Sequence, residues 1–126
     1  MSPIPITIAV NTSDGDEIQR ELNAKTTGIS VEEVFEATHL TEGVDVTATE
    51  CLATPFGAGE PTAPTIYDAV RTHYPNHPLV IVTPNDDIEF IERILSDPNS
   101  EYVYRSATGD LATGVLSAYI QRLVNG

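Results

Sequence analysis

Leu79-Val80-Ile81-Val82-Thr83 decides the fold, framed by Tyr74-Pro75-Asn76-His77-Pro78 before it and Pro84-Asn85-Asp86-Asp87 after it. The run is apolar up to its last residue and β-branched after its first. A strand with no polar alternation is buried on both faces, which is the situation of a central strand in a parallel sheet covered by helices on each side. The proline-bounded turn before it ends one helix, and the acids after it open the next.

Working outward, Thr65 to Tyr74 places Ile66, Val70 and Tyr74 at helical spacing. Pro84-Asn85-Asp86-Asp87 caps a helix expected to turn Ile88, Ile91, Ile94 and Leu95 to the core, and Asp97-Pro98-Asn99 breaks it. Glu101 to Arg105 reads as a last strand, and Asp110 to Val124 as a last helix with Leu111, Val115, Tyr119 and Leu123 on one face. On the amino-terminal side, Ile4 to Val10 is a buried strand ended by the polar cluster Asn11-Thr12-Ser13-Asp14-Gly15. Asp16 to Ala24 is a short amphipathic helix through Ile18 and Leu22. Ile29 to Phe35 admits two readings: a helix opened by a Ser30-x-x-Glu33 capping box, or a strand, which the flanking elements favour. Val44-Asp45-Val46-Thr47-Ala48-Thr49 is β-branched enough for a central strand. Cys51 to Pro64, rich in proline and glycine, then reads as a long loop. Strands thus alternate with helices about five times, without internal repeat or linker, which argues for one α/β domain spanning 1–126 around a parallel sheet.

Composition narrows the function. The 126 residues carry 19 acids against six bases, a formal charge of −13. No basic stripe exists to neutralise phosphates, so nucleic acid is excluded as a partner. No apolar run approaches the ~20 residues of a spanning helix, so no membrane partner is expected. Met1-Ser2-Pro3 carries no basic leader, and the expected location is cytoplasmic. The acidic excess, a single lysine (Lys25) and abundant threonine resemble proteins of halophilic archaea. In molar salt the Debye length falls to about 3 Å and screens such self-repulsion. A fold that gains stability with KCl is the expectation.

In a sheet of this kind the working groups lie beyond the carboxyl ends of the strands. That singles out Asn11, Thr12, Glu50, Thr83 and Arg105. Other conspicuous residues read as structural. Cys51 lacks a downstream arginine loop and is expected to be a buried small hydrophobe. His39, His73 and His77 have no metal-ligand spacing and read as surface or turn residues. Gly57-Ala58-Gly59 lacks the Lys and Ser/Thr of a phosphate loop and reads as a flexible loop. Asp86 and Asp87 suit a helix dipole, and Tyr67, Tyr74 and Tyr119 fall at core spacing.

At these positions the chain resembles the receiver domain of two-component response regulators, the CheY-like fold, over nearly its whole length. Ile8-Ala9-Val10-Asn11-Thr12 stands where receivers have an apolar strand ending in two acids. Asp45-Val46-Thr47-Ala48-Thr49-Glu50 stands where the third strand ends in the phosphorylated aspartate. Tyr74 to Thr83 matches the helix exit, the fourth strand and its terminal hydroxyl residue. Tyr102-Val103-Tyr104-Arg105 matches the fifth strand, with the switch aromatic at Tyr102 and arginine for the family's lysine. Pro55 and Gly59 keep the family's Pro-x-x-x-Gly spacing one residue late, and the segment from Asn11 to Val44 is short. The resemblance implies a flavodoxin-like three-layer sandwich with a five-stranded parallel sheet in the order 2-1-3-4-5.

It also implies a function, altered by the departures. Receiver phosphorylation uses an aspartate, a divalent cation held by the acid pair, the hydroxyl and the lysine. Magnesium wants hard oxygen ligands, mostly carboxylates. Asn11 and Thr12 are neutral, and Glu50 reaches one methylene further than aspartate. The expectation is a stand-alone degenerate receiver, a pseudo-receiver that neither catalyses nor uses a cofactor. It would work by contact with a protein partner (a histidine kinase, an output protein or a second copy) through the last two helices and last strand. Glu50 is expected to pair with Arg105 across the top of the sheet or to mimic a phosphorylated aspartate. Two alternatives stand beside this reading. One is a phosphoacceptor receiver that holds Mg²⁺ through atypical ligands, Asp14 or Asp16. The other is a small flavodoxin-like enzyme or nucleotide-binding protein.

Overall fold

A computed structural model of the chain describes residues 3–106 and 109–126; Met1 and Ser2, used above in reading the amino terminus, lie outside the described residues. In chain order the elements are β1 (Ile4–Val10), α1 (Gly15–Lys25), β2 (Ile29–Glu36), the single-turn α2 (Thr38–Thr41), β3 (Cys51–Pro55), α3 (Ala63–His73), β4 (Leu79–Thr83), α4 (Ile88–Leu95), β5 (Ser100–Tyr104) and α5 (Thr113–Asn125). The strands pair in parallel in the order β2-β1-β3-β4-β5. The flavodoxin-like α/β sandwich expected above is therefore the fold, and Ile29–Glu36 is a strand.

The period-2 geometry of the strands sorts the core into two layers. Ile6 and Ile8 of β1, Cys51 and Ala53 of β3, and Val80 and Val82 of β4 face Ile18 and Leu22 of α1 and Leu116 and Ile120 of α5. Leu52, Leu79 and Ile81 face the other way, onto Ile66 and Val70 of α3 and Phe90 and Ile94 of α4. Each Ile, Leu, Val or Phe among them contributes about 1.5–3 kcal/mol on burial, and both faces of β3 and β4 are filled.

Three expectations are corrected. The third strand is Cys51–Pro55, not Val44–Thr49. Asp45 Oδ1 accepts hydrogen bonds from the backbone N–H of Thr47 at 2.8 Å and from its hydroxyl at 2.6 Å. This local turn outcompetes an extended ladder despite the β-branched residues. Cys51 to Thr54 supplies what a central position demands, small or apolar side chains with no exposure at all. The other two corrections concern helix phase. α4 buries Phe90 and Ile94 and leaves Ile88 and Leu95 70% and 60% exposed. α5 buries Leu116 and Ile120, with Tyr119 and Leu123 half-buried against the core and Leu111 buried ahead of the helix as expected; of the expected face only Val115, 46% exposed, departs. Both helices carry apolar residues on more than one face, so spacing alone did not select the inward one.

The amino edge of the sheet is closed by an arginine. Arg71, in the last turn of α3, donates from Nε to Asp97 Oδ2 at 2.6 Å. Its Nη1 donates to the carbonyls of Tyr74 and His77, and its Nη2 to the carbonyl of Asn99 and the hydroxyl of Ser100. All five N–H groups are thereby used. Asp97 in turn accepts from Tyr67, Ser100 and the Asn99 amide. Burial pushes the Asp97 carboxyl up, but the hydrogen bonds from Asn99, Ser100, Tyr67 and Arg71 together outweigh it and hold the group below its ordinary value. One side chain thus ties the end of α3 to the loop entering β4 and to the loop entering β5.

Candidate functional site at the carboxyl edge

The carboxyl ends of β1, β3, β4 and β5 bring Asn11, Thr12, Thr83 and Arg105 to one edge. Glu50 is not among them. It lies exposed at the amino end of β3, where its backbone N–H donates to the Pro5 carbonyl at 2.9 Å. The residue at the carboxyl end of β3 is Pro55, paired with Val82 and with its carbonyl accepting from the Asn11 N–H at 3.2 Å. The correction follows from the shift of the third strand: moving it five residues along exchanges a carboxylate for a ring without a polar side-chain atom. It also removes the expected Glu50–Arg105 pair.

Arg105 takes other partners. Its Nη1 donates to the Phe56 carbonyl at 2.7 Å, and its Nη2 approaches Asp14 Oδ2 at 3.5 Å. Phe56, the first residue past β3, has φ +71°. A bulky side chain in the left-handed region costs on the order of 1–3 kcal/mol and persists only where neighbours hold it. Here the Phe56 N–H is held by the Val82 carbonyl at 2.7 Å, its carbonyl by Arg105, and its ring is buried. Asp14 accepts from the Thr12 hydroxyl as well. That bond is the main reason its carboxyl titrates below the ordinary value, with Arg105 acting in the same direction and burial opposing. Asp14, weighed above as a cation ligand, is thus already engaged by a hydroxyl and a guanidinium. Asp16 sits exposed in the first turn of α1.

Thr83 is buried at the end of β4, and its Oγ1 accepts from the Asn85 N–H at 3.1 Å. Asn85 Oδ1 caps the Asp87 N–H, and Asp87 caps the Phe90 N–H, so the β4–α4 loop is a chain of side-chain-to-backbone bonds running into the helix. Tyr102 joins it from β5, its hydroxyl donating to the Asn85 carbonyl at 2.5 Å. Burial, then Asp86 and Tyr104, push the Tyr102 hydroxyl above its ordinary value. Thr83 and Tyr102 therefore meet on one residue, Asn85.

Asn11 points its amide into the β3–α3 loop. Its Nδ2 lies 2.8 Å from the Gly59 carbonyl, 3.1 Å from that of Pro61 and 3.4 Å from that of Gly57. The loop read above as flexible is folded back onto the end of β1 by these contacts. Its glycines are required there: a Cβ on Gly59 would stand 2.7 Å from the Asn11 carbonyl oxygen. The loop borders three small crevices at this edge, the smallest, about 180 Å³, lined by Asn11, Thr12, Glu36 and Glu60. Another, about 380 Å³, lies between Thr12, Asp14 and Arg105; the third, about 330 Å³, lies between Ala58, Thr62 and Thr83. Among the described residues, no three His, Cys, Asp or Glu side chains gather closely enough to hold a metal ion. Cys51 lies in the sheet, its thiol pushed up to about 12 by burial. The sequence missed the roles of Asp14, Phe56 and Pro55. The Thr12-x-Asp14 spacing, a hydroxyl two residues from a carboxylate, was the one available signal for the first.

The sequence matches no protein-family model and no curated protein. The structure matches receiver domains of response regulators. The response regulator domain of CheB from Thermotoga maritima superposes with a TM-score of 0.71 at 9% identity, covering 98% of each chain. A response regulator receiver domain protein from Clostridium thermocellum gives 0.68 at 17% identity, covering 97% of this chain and 94% of that one. The receiver domain of the Francisella response regulator 1452 gives 0.66 at 15%, covering 97% of both. The chain therefore has the receiver fold over essentially its full length. Within that fold the position that ends the third strand is Pro55.

Proposed function

We propose that this chain is a receiver-fold signalling module that works by protein contact and accepts no phosphoryl group at the end of its third strand. The observation that carries the reading is Pro55. An aspartyl phosphate needs a carboxylate where Pro55 stands, and the proline ring has no nucleophilic atom. The neighbouring donor set fits magnesium no better: an amide at Asn11, a hydroxyl at Thr12, and at Asp14 a carboxylate bound by Arg105. Magnesium binding favours one or two free carboxylates with retained water. Without such an ion the charge of a transferring phosphoryl group goes unstabilised. Thr83 and Tyr102 are both bonded to Asn85.

The contact surface in this reading is the face made by α4, β5 and α5. The exposed large apolar side chains Ile88, Leu95, Tyr104 and Val115 all lie on these three elements. A contiguous apolar patch marks an interaction surface, and these four residues are the candidates to form one. The partner is a protein, either a kinase or output protein or a second copy. The −13 charge fits a working environment of high salt, where it is screened.

The test is incubation with acetyl phosphate and Mg²⁺ followed by intact-mass measurement. No added phosphoryl group is expected. A stable adduct mapping to Asp14, Asp16 or Glu50 would replace this reading with that of an atypical phosphoacceptor.

A further inference from the structure

The three carbonyls that surround Asn11 Nδ2 come from alternate residues of one loop, Gly57, Gly59 and Pro61. Carbonyl oxygens converging on one point from a short loop are a donor set that proteins offer to hard cations, especially beside a carboxylate. Here the point is filled by nitrogen. A carboxamide has two N–H groups and one acceptor oxygen, so its orientation is fixed by its surroundings. Turned over, Asn11 Oδ1 would face three acceptors and no donor. As placed, Nδ2 makes two good bonds, to Gly59 and Pro61, and a longer one to Gly57, while buried Oδ1 has no partner among the described residues. The fit is close because side chains are missing. A Cβ on Gly57 would stand 2.8 Å from Asn11 Oδ1, and one on Gly59 2.7 Å from the Asn11 carbonyl. The backbone of Asn11 is held too, by the Pro55 carbonyl.

We propose that the Asn11 carboxamide stands in place of a cation: its N–H groups supply the positive centre that the Gly57, Gly59 and Pro61 carbonyls require, so that the β3–α3 loop is held closed without a metal ion. Magnesium and the residues present do not fit, and this is the physical reason. The centre already carries hydrogen-bond donors, and a cation would have to displace them. The inference deepens the reading that the edge performs no metal-assisted chemistry, and the two can fail separately. Phosphorylation of the unaltered chain would sink the earlier reading, whereas the behaviour of Asn11 variants decides this one.

Asn11→Asp is nearly isosteric but turns the donor into an anionic acceptor. A carboxylate then joins three carbonyls, which repel it until a cation enters. Thermal unfolding of the unaltered chain should shift by less than about 1 °C between EDTA and millimolar Ca²⁺ or Mg²⁺ at matched ionic strength. Asn11→Asp should unfold about 5–10 °C lower in EDTA and recover at least half of that loss with Ca²⁺. Asn11→Ala should lose a similar amount and recover none. Equal stability of Asn11→Asp and the unaltered chain in EDTA would overturn the proposal. So would a Ca²⁺ response of Asn11→Asp no larger than that of Asn11→Ala. If Asn11→Asp does not fold in either buffer, the unaltered chain decides through its ¹H–¹⁵N spectrum. Two resolved, exchange-protected Asn11 carboxamide protons support the assignment, and a solvent-averaged, fast-exchanging pair contradicts it.

Discussion

The two edges of the sheet each hold an arginine at the end of an element, and the arginines do different work. Arg71, at the amino edge, spends all five N–H groups on Asp97, Ser100 and three carbonyls. Arg105, at the carboxyl edge, bonds the Phe56 carbonyl, meets Asp14 only at 3.5 Å, and leaves its buried Nε without a partner among the described residues. The first is saturated and joins loops that must not move. The second sits beside a crevice, next to a residue with positive φ. A fully satisfied polar network rigidifies a fold, and each buried polar atom left over calls for an explanation. The contrast separates a saturated hub from a looser one.

The contrast predicts unequal responses to substitution. The largest effect belongs to Arg71→Ala, which strands Asp97 and three carbonyls together. It should cost about 3–5 kcal/mol, read as a lower urea midpoint. A loss below ~1 kcal/mol would mean that the hub is ornamental. Next comes Gly59→Ala, whose new methyl meets the Asn11 backbone rather than a yielding side chain. A cost of about 1–3 kcal/mol is expected, with the chemical-shift changes centred on 11–14 and 56–61. Unchanged stability there would show that the loop does not lie on Asn11.

Acid sharpens the comparison further. Asp97 and Asp14 are both held below their ordinary values in the folded chain. The stability each contributes is complete above the unfolded carboxyl value near 3.8, and it is lost as pH falls through the lower folded value. Asp97 side-chain exposure is 15% against 34% for Asp14, so solvent screens the second more. Asp97→Asn should therefore flatten the fall of stability below pH ~4 more than Asp14→Asn does. The reverse order in an acid titration of unfolding would contradict the account of the two edges. The smallest effect on folding is that of Tyr104→Ala, within about 0.5 kcal/mol because the ring is exposed. The same change should weaken self-association or partner binding measured by sedimentation, if the α4–β5–α5 face is the contact surface.

Much of this architecture was legible in the chain, for identifiable reasons. β4 announces itself because a strand buried on both faces has no polar alternation. β1 does so because an apolar run meets a polar turn at Asn11. Placement at the carboxyl edge was legible where close turns define the strand ends, at Asn11, Thr12, Thr83 and Arg105. It failed at Glu50 because Asp45 and Thr47 divert a β-branched stretch into a side-chain-bonded turn, while Cys51-Leu52-Ala53-Thr54, unremarkable in propensity, takes the central place by being small enough. Arg71 gave no signal, since its partners lie up to 29 residues away and four of its five bonds go to backbone or to small polar groups. Helix phase in α4 and α5 was ambiguous for the reason that makes the surface interesting. Apolar residues stand on the outward face as well as the inward one.

The central claim is that no divalent cation seats at the carboxyl edge. Titration with Mn²⁺ in concentrated KCl, which screens loose attraction to the acidic surface, addresses it through paramagnetic broadening of backbone amides. The account predicts weak, scattered broadening with no focus on residues 11–14 or 56–59. Selective loss of the Asn11, Thr12 and Phe56 signals at low Mn²⁺, restored by excess Mg²⁺, would contradict it.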